Sequence, residues 1–211
     1  MDNLFLFIEE MCEYYKIDES HGLTHAKGTY SRAEQILLKI SDISNDEKRI
    51  ALYAAALHDT CDHKYTDVNE SSLKIKSWLI KQGWSIEDAN SLIYIITTMS
   101  YSKLKSYSNG MQPIFPDHGK WQRAYHIARH ADLLEGYIVA RCILYDRHIH
   151  PNRTEDEHWN RAIELFNERV FTYVEDGWIF MPEALQFVSA LESEARRCLQ
   201  NRSMDWKKLM D

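Results

Sequence analysis

Apolar residues recur at helical spacing along almost the whole chain, and little interrupts them. Leu4, Phe5, Ile8, Met11, Cys12 and Tyr15 fall on one stripe of a helix predicted over 2–17. Far along the chain Ile127, Ala128, Ala131, Leu134 and Ile138 repeat the same period. Only 7 Gly and 4 Pro occur in 211 residues, too few for the tight turns of an all-β fold. The pattern predicts an all-α fold. Further helices are expected over about 23–40, 46–61, 69–82, 86–101, 118–149 (continuous or broken), 154–173 and 182–204. Asn45 or Asp46 is the expected N-cap of the third, with acid in its first turn. "QGWS" supplies a Gly stop and a Ser cap between the fourth and fifth. "YSNGMQPIFPDHGK" (107–120) predicts a long surface loop, a place where substrate contacts are often found.

Composition narrows the function classes. A net charge of −7 argues against broad nucleic-acid binding, which relies on basic surface. A local basic pocket for one small anion stays open. No apolar run approaches the roughly 18 residues needed to cross a membrane. Glu9 and Glu10 interrupt the N-terminal apolar patch, which reads as an amphipathic helix and not a signal peptide. Cys12, Cys61, Cys142 and Cys198 form no Cys-x-x-Cys pair, which disfavours a zinc ribbon or a thioredoxin-like motif. Their spacing fits reduced thiols and a cytoplasmic location. Oligomeric state is not legible.

One segment turns abruptly from apolar to polar: "AALHDTCDHKY", residues 55–65. If its helix continues to Asp62, then His58, Asp59 and Asp62 point into one sector. Ala54 and Ala55 lie one turn back and are small enough to let another helix approach. Asp is disfavoured at a helix C-terminus by the helix dipole, so two of them call for a counter-charge, which a metal supplies. Imidazole suits zinc, manganese, iron, cobalt and nickel, and carboxylate favours harder ions such as magnesium. Further ligands must come from elsewhere. His25, in "ESHGLTHAKGTY", is one candidate. Asp132, in "YHIARHADLLEGY", is another, because it flanks an apolar helical face where an unpartnered charge is costly.

Taken together, His25, His58-Asp59 and Asp132 resemble the H…HD…D signature of the HD-domain metal-dependent phosphohydrolases. "AALYAAALHDTCDHKY" is similar to that family's apolar segment ending in His-Asp. "IITTMSYSK" and "YHIARHADLLEGYIVARCILYD" resemble its small stand-alone members, some of which hydrolyse nucleotides. The resemblance spans about 20–145. It implies a single-domain HD-type helical bundle over 1–211, with C-terminal helices (about 154–204) packed on that core. It implies one divalent ion (Mn, Fe, Co, Ni, Zn or Mg) held by His25, His58, Asp59 and Asp132. It also implies hydrolysis of a phosphoester or phosphoanhydride in a small phosphorylated substrate, a nucleotide above all. Asp62 stands where relatives carry an acid acting on the attacking water. Lys64, and more weakly Lys103 at the mouth of the long loop, could place positive charge beside phosphate. His21 could be a substrate contact or a cap. The rival reading is a non-catalytic nucleotide-binding sensor on the same scaffold.

Two departures from the family pattern stand out. Gly28 occupies the position three after the first His where many relatives carry Arg, and Arg32 follows one turn later. His63 stands where guanosine-tetraphosphate hydrolases often carry a second acid. His126 and His130 have the spacing of a zinc pair, but Asp132 points nearly opposite. They are expected to be exposed or locally bonded. His148 and His150 read as loop residues, Cys61 as a packed thiol, and most tryptophans as core. No motif is carried past about residue 150.

Overall fold

The computed structural model describes residues 2–108 and 112–203 and is all-helical, with no strand among them. Ten α-helices follow in order: α1 (Asp2–Tyr15), α2 (Leu23–Leu37), α3 (Asn45–Leu57), α4 (Val68–Lys81), α5 (Ile86–Thr98), α6 (Tyr101–Ser108), α7 (Gln122–Glu135), α8 (Val139–Ile149), α9 (Glu155–Leu165) and α10 (Pro182–Asn201). The helix predicted over 118–149 is therefore broken at Gly136–Ile138 into two. The predicted 154–173 helix ends its regular part at Leu165 and continues as a π turn over Phe166–Val170. The last helix stops at Asn201, and the expected end at residue 204 lies outside the described residues, as do 109–111 of the predicted loop.

Helices α2, α3 and α7 pack on one another and form the centre of the bundle. α1 covers α2, α5 flanks α3, and α4 packs on α5. α8, α9 and α10 form a C-terminal layer that reaches α7 and α2 through α10. One apolar core joins residues from Leu4 in α1 to Leu199 in α10. Small residues set the spacing at the centre: Ala51, Ala54 and Ala55 are fully buried. Thr29 of α2 donates its hydroxyl to the Ala55 carbonyl of α3 at 2.8 Å, a contact that requires close approach of the two backbones.

One cap differs from the expected one. Ser44, not Asn45 or Asp46, caps α3, in a capping box with Glu47. Ser85 caps α5 as expected, after a left-handed Gly83. Residues 101–108 form α6, between the helix expected to end at about 101 and the loop expected from 107, so Lys103 stands on a helix. Among the described residues no helix is long and apolar enough to cross a membrane, and no disulfide joins the cysteines.

Candidate metal centre

α3 does not continue to Asp62. It ends at Leu57, and His58–Cys61 tighten into a 3-10 turn. Local side-chain bonds draw the chain out of the helix. The Thr60 hydroxyl donates to the Leu57 carbonyl at 2.6 Å, and Asp62 is already extended. Asp62 Oδ1 accepts from the Lys64 backbone N–H at 2.9 Å and lies 3.0 Å from His63 Nδ1. The shared helical face proposed for His58 and Asp62 is thus absent. His63 is a half-exposed partner of Asp62.

The tight turn instead aims His58 at its distant partners. His58 Nδ1 lies 2.8 Å from the Ala55 carbonyl. A carbonyl only accepts, so Nδ1 carries the proton and Nε2 is the nitrogen left to bind. His58 Nε2 faces His25 Nε2 of α2 at 3.3 Å. Asp59 Oδ2 is 3.2 Å from each of these nitrogens. Asp132 Oδ1 of α7 is 3.4 Å from each. Four side chains from three separate elements therefore converge. Asp59 Oδ2 is buried and accepts no hydrogen bond, despite two ring nitrogens close by. The distances are short but the directions miss, as expected where donors aim at a common point between them. His25, His58 and Asp132 could together hold a metal ion. Two imidazole nitrogens with carboxylate oxygen fit a first-row divalent ion.

Electrostatics is consistent with that. Burial disfavours the charge on His58, but Asp59 and Asp132 outweigh it and hold its pKa well above the usual value. Burial would raise both carboxylates, yet the histidines hold both well below the ordinary range. His58's contribution to stability is therefore full below its unfolded pKa and is lost as pH rises through its raised folded one. The carboxylates contribute above their unfolded range and lose that contribution as pH falls through their depressed values. An ion must displace the His58 proton, so binding strengthens as pH rises. Addition of Mn²⁺ at about 100 times its dissociation constant should stabilise the protein by about 2.7 kcal/mol, or roughly 5–10 °C in Tm for a chain of this size. Calorimetric scans at fixed free Mn²⁺ should show a larger Tm increase near pH 8 than near pH 6. Equal increases would mean that no proton is displaced.

The centre opens on a cavity of about 450 Å³, to which His58, Asp59 and Asp132 contribute, with Asp62, Lys64, Lys103 and His21 also in its wall. His21 is not a helix cap. The N-cap of α2 is Gly22, which makes no side-chain cap bond. His21 Nδ1 instead meets the Ser20 hydroxyl at 2.7 Å and the Tyr65 hydroxyl at 2.9 Å. Lys103 Nζ donates to the Thr97 carbonyl at 3.2 Å, and Lys64 Nζ sits 5.8 Å over the Tyr145 ring. Arg32 does not reach this cavity. Its Nε donates to Glu135 at 2.9 Å, and Gly28 is what makes room for that carboxylate, since a Cβ there would lie 2.4 Å from Glu135 Oε2.

His126 and His130 are locally bonded, one of the two expectations for them: His126 Nε2 meets Gln122 Nε2 at 3.0 Å and His130 Nε2 meets Arg129 Nη2 at 3.0 Å. His126 and His130 are not exposed but stack in an aromatic cluster with Phe180. Burial and the Arg129 charge push the His126 pKa down to about 4 and that of His130 well down, so both stay neutral. His118 stacks on Tyr125 at 4.4 Å, away from the centre. His148, expected in a loop, lies instead in the last turn of α8, and His150, its C-cap, reaches the cavity wall. Cys61 is a buried thiol against Ser71 and Ser72.

Sequence reasoning missed the far wall of the cavity. Arg141 and Tyr145 of α8, Arg161 of α9, and Arg169 and Tyr173 beyond it all line it, so the C-terminal region contributes after all. Tyr101 of α6 also lines the cavity. No family model, curated protein or solved structure matches this chain, so its donors and their geometry are what bear on function.

Proposed function

We propose that the chain is an HD-type metal-dependent phosphohydrolase acting on a small phosphorylated substrate, in the first place a nucleotide. The observation that carries this reading is the pair of Nε2 atoms 3.3 Å apart, each 3.2–3.4 Å from Asp59 and Asp132, at the edge of a cavity that also holds lysines and arginines. His25, His58, Asp59 and Asp132 would hold the ion, any of Mn, Fe, Co, Ni, Zn or Mg. Bound there, a divalent ion lowers the pKa of its water and polarises a phosphoryl oxygen.

The chain's own residues do the rest. Asp62 has one oxygen committed to Lys64 N–H and His63. Its other oxygen is left to orient an attacking water or take its proton. Lys64 and Lys103 supply positive charge to the phosphoryl group, which favours the charge distribution of the transition state. The Asp18, Ser20 and Tyr65 network fixes the His21 ring at the cavity wall and presents it as a substrate contact. The cytoplasm is the compartment that fits a chain of four cysteines without a disulfide.

The test is turnover. Mn²⁺-loaded protein should release phosphate or pyrophosphate from at least one nucleoside mono-, di- or triphosphate or simple phosphate ester. Asp59→Ala should lower that rate by about a thousandfold or more. Metal-loaded protein that binds nucleotides without turning any over would replace this reading with that of a sensor.

A further inference from the structure

The cavity beside the metal centre carries more positive charge than one phosphate needs. Lys64, Lys103, Arg141, Arg161 and Arg169 all line it, in a chain whose net charge is −7. Of the four acids in the same wall, Asp59 and Asp132 would be offset by a divalent ion. Asp146 is held by Arg153 at 2.6 Å and His158 at 2.6 Å. Arg161 in turn is paired to Glu164 at 3.2 Å, so Asp62 is left against four cations.

Four of the five cations come from two stretches of the chain, and Arg141 comes from α8. Lys64 and Lys103 come from the segment after the 3-10 turn and from α6. Arg161 and Arg169 come from α9 and its π continuation. Arg169 is the better placed of the second pair. It stands in the π turn Phe166–Val170, a feature common at functional sites because the extra residue re-aims side chains. Its Nε donates to the Tyr173 hydroxyl at 2.9 Å, and its guanidinium stacks on Tyr101 at 3.9 Å. These contacts hold the group in place without neutralising it, and among the described residues it has no carboxylate partner. Among the described residues Arg161 is paired only within its own helix, to Glu164 at 3.2 Å.

We propose that the π-turn guanidinium of Arg169, with Arg161 beside it, forms a second anion subsite, so that the substrate carries two separated anionic groups. One is the phosphoryl group at the metal centre, and the other is a phosphate or carboxylate held by the arginines. A planar, fixed guanidinium suits bidentate recognition of either group. The carbon skeleton between the two anions would lie against Tyr145 and Met99, which line the same cavity. This rests on the phosphohydrolase reading for its first anion but not for its second.

Non-hydrolysable probes separate the two. Binding of methylphosphonate and of α,ω-alkylenebisphosphonates with one to four carbons is measured calorimetrically on Mn²⁺-loaded protein, with Mn²⁺ in excess of probe. At least one bisphosphonate should bind about tenfold or more tighter than methylphosphonate. In Arg169→Gln that advantage should shrink to about threefold or less, with methylphosphonate binding unchanged and Arg169→Lys intermediate. Arg161→Gln, at a half-exposed helix position, should show a smaller loss in the same direction. It carries the test if Arg169→Gln does not fold. No bisphosphonate advantage in the wild type, or one that survives these substitutions, overturns the subsite. Bisphosphonate binding without turnover of any phosphate ester would leave the subsite standing and remove the hydrolase.

Discussion

Replacing His58 by Ala is expected to lower affinity for Mn²⁺ by at least about a hundredfold, because loss of an outer-shell partner alone costs 10–100-fold. His58 is the hinge of the centre. Its Nδ1 is fixed by the Ala55 carbonyl, and its Nε2 faces His25, Asp59 and Asp132. Without it, two carboxylates face one imidazole, and the metal-free protein should also lose stability near neutral pH, because a buried charge loses a partner. Metal content after dialysis against Mn²⁺ checks the first effect. His148→Ala, on the exposed end of α8, should retain full content. Equal retention by His58→Ala would remove His58 from the ligand set.

The second large effect lies in the core. Arg129 is the bulkiest of the fully buried side chains and has no carboxylate ion pair among the described residues. Its Nη1 donates to the Trp178 carbonyl at 2.7 Å, its Nη2 meets His130 Nε2 at 3.0 Å, and its guanidinium lies 4.3 Å from the Phe115 ring centre. Burial pushes its pKa down to about 10, partly opposed by Tyr125 and Asp132, so it stays charged at neutral pH. This one side chain ties α7 to the segment between the π turn and α10. Arg129→Ala would leave the Trp178 carbonyl unsatisfied and open a void beside Phe115. A loss of about 3 kcal/mol is expected, a fall of roughly 6–12 °C in Tm. Arg129→Met should recover part of it, by filling the volume without a buried charge. Thermal unfolding decides, and a fall of under about 2 °C would show that the tie contributes little.

The fold was legible where the helical period was strong. The stripes of α1 and α7 and the stop-and-cap between α4 and α5 could all be read directly. α6 was not, because "YSKLKSYS" buries only Tyr101, Leu104 and Ser108 and its serines and lysines resemble a loop. The Ser44 cap could have been found from the Ser-x-x-Glu spacing to Glu47. At the centre, residue types and order picked out the four converging side chains. The shared helical face expected for His58, Asp59 and Asp62 does not form. A 3-10 turn brings His58 and Asp59 to the same point, and local Thr and Asp bonds that override helix periodicity are hard to weigh from sequence. The arginine wall was invisible for a different reason. Arg141, Arg161 and Arg169 reach the cavity only through the tertiary packing of α8 and α9, and a π turn has no signature in a 3.6-residue period.

The most direct test of the central claim is anomalous diffraction from a crystal of the protein soaked in Mn²⁺. A single strong peak is predicted within bonding distance of His25 Nε2, His58 Nε2, Asp59 and Asp132. A peak elsewhere, for instance between His126 and His130, or no ordered ion at all at saturating Mn²⁺, would contradict it.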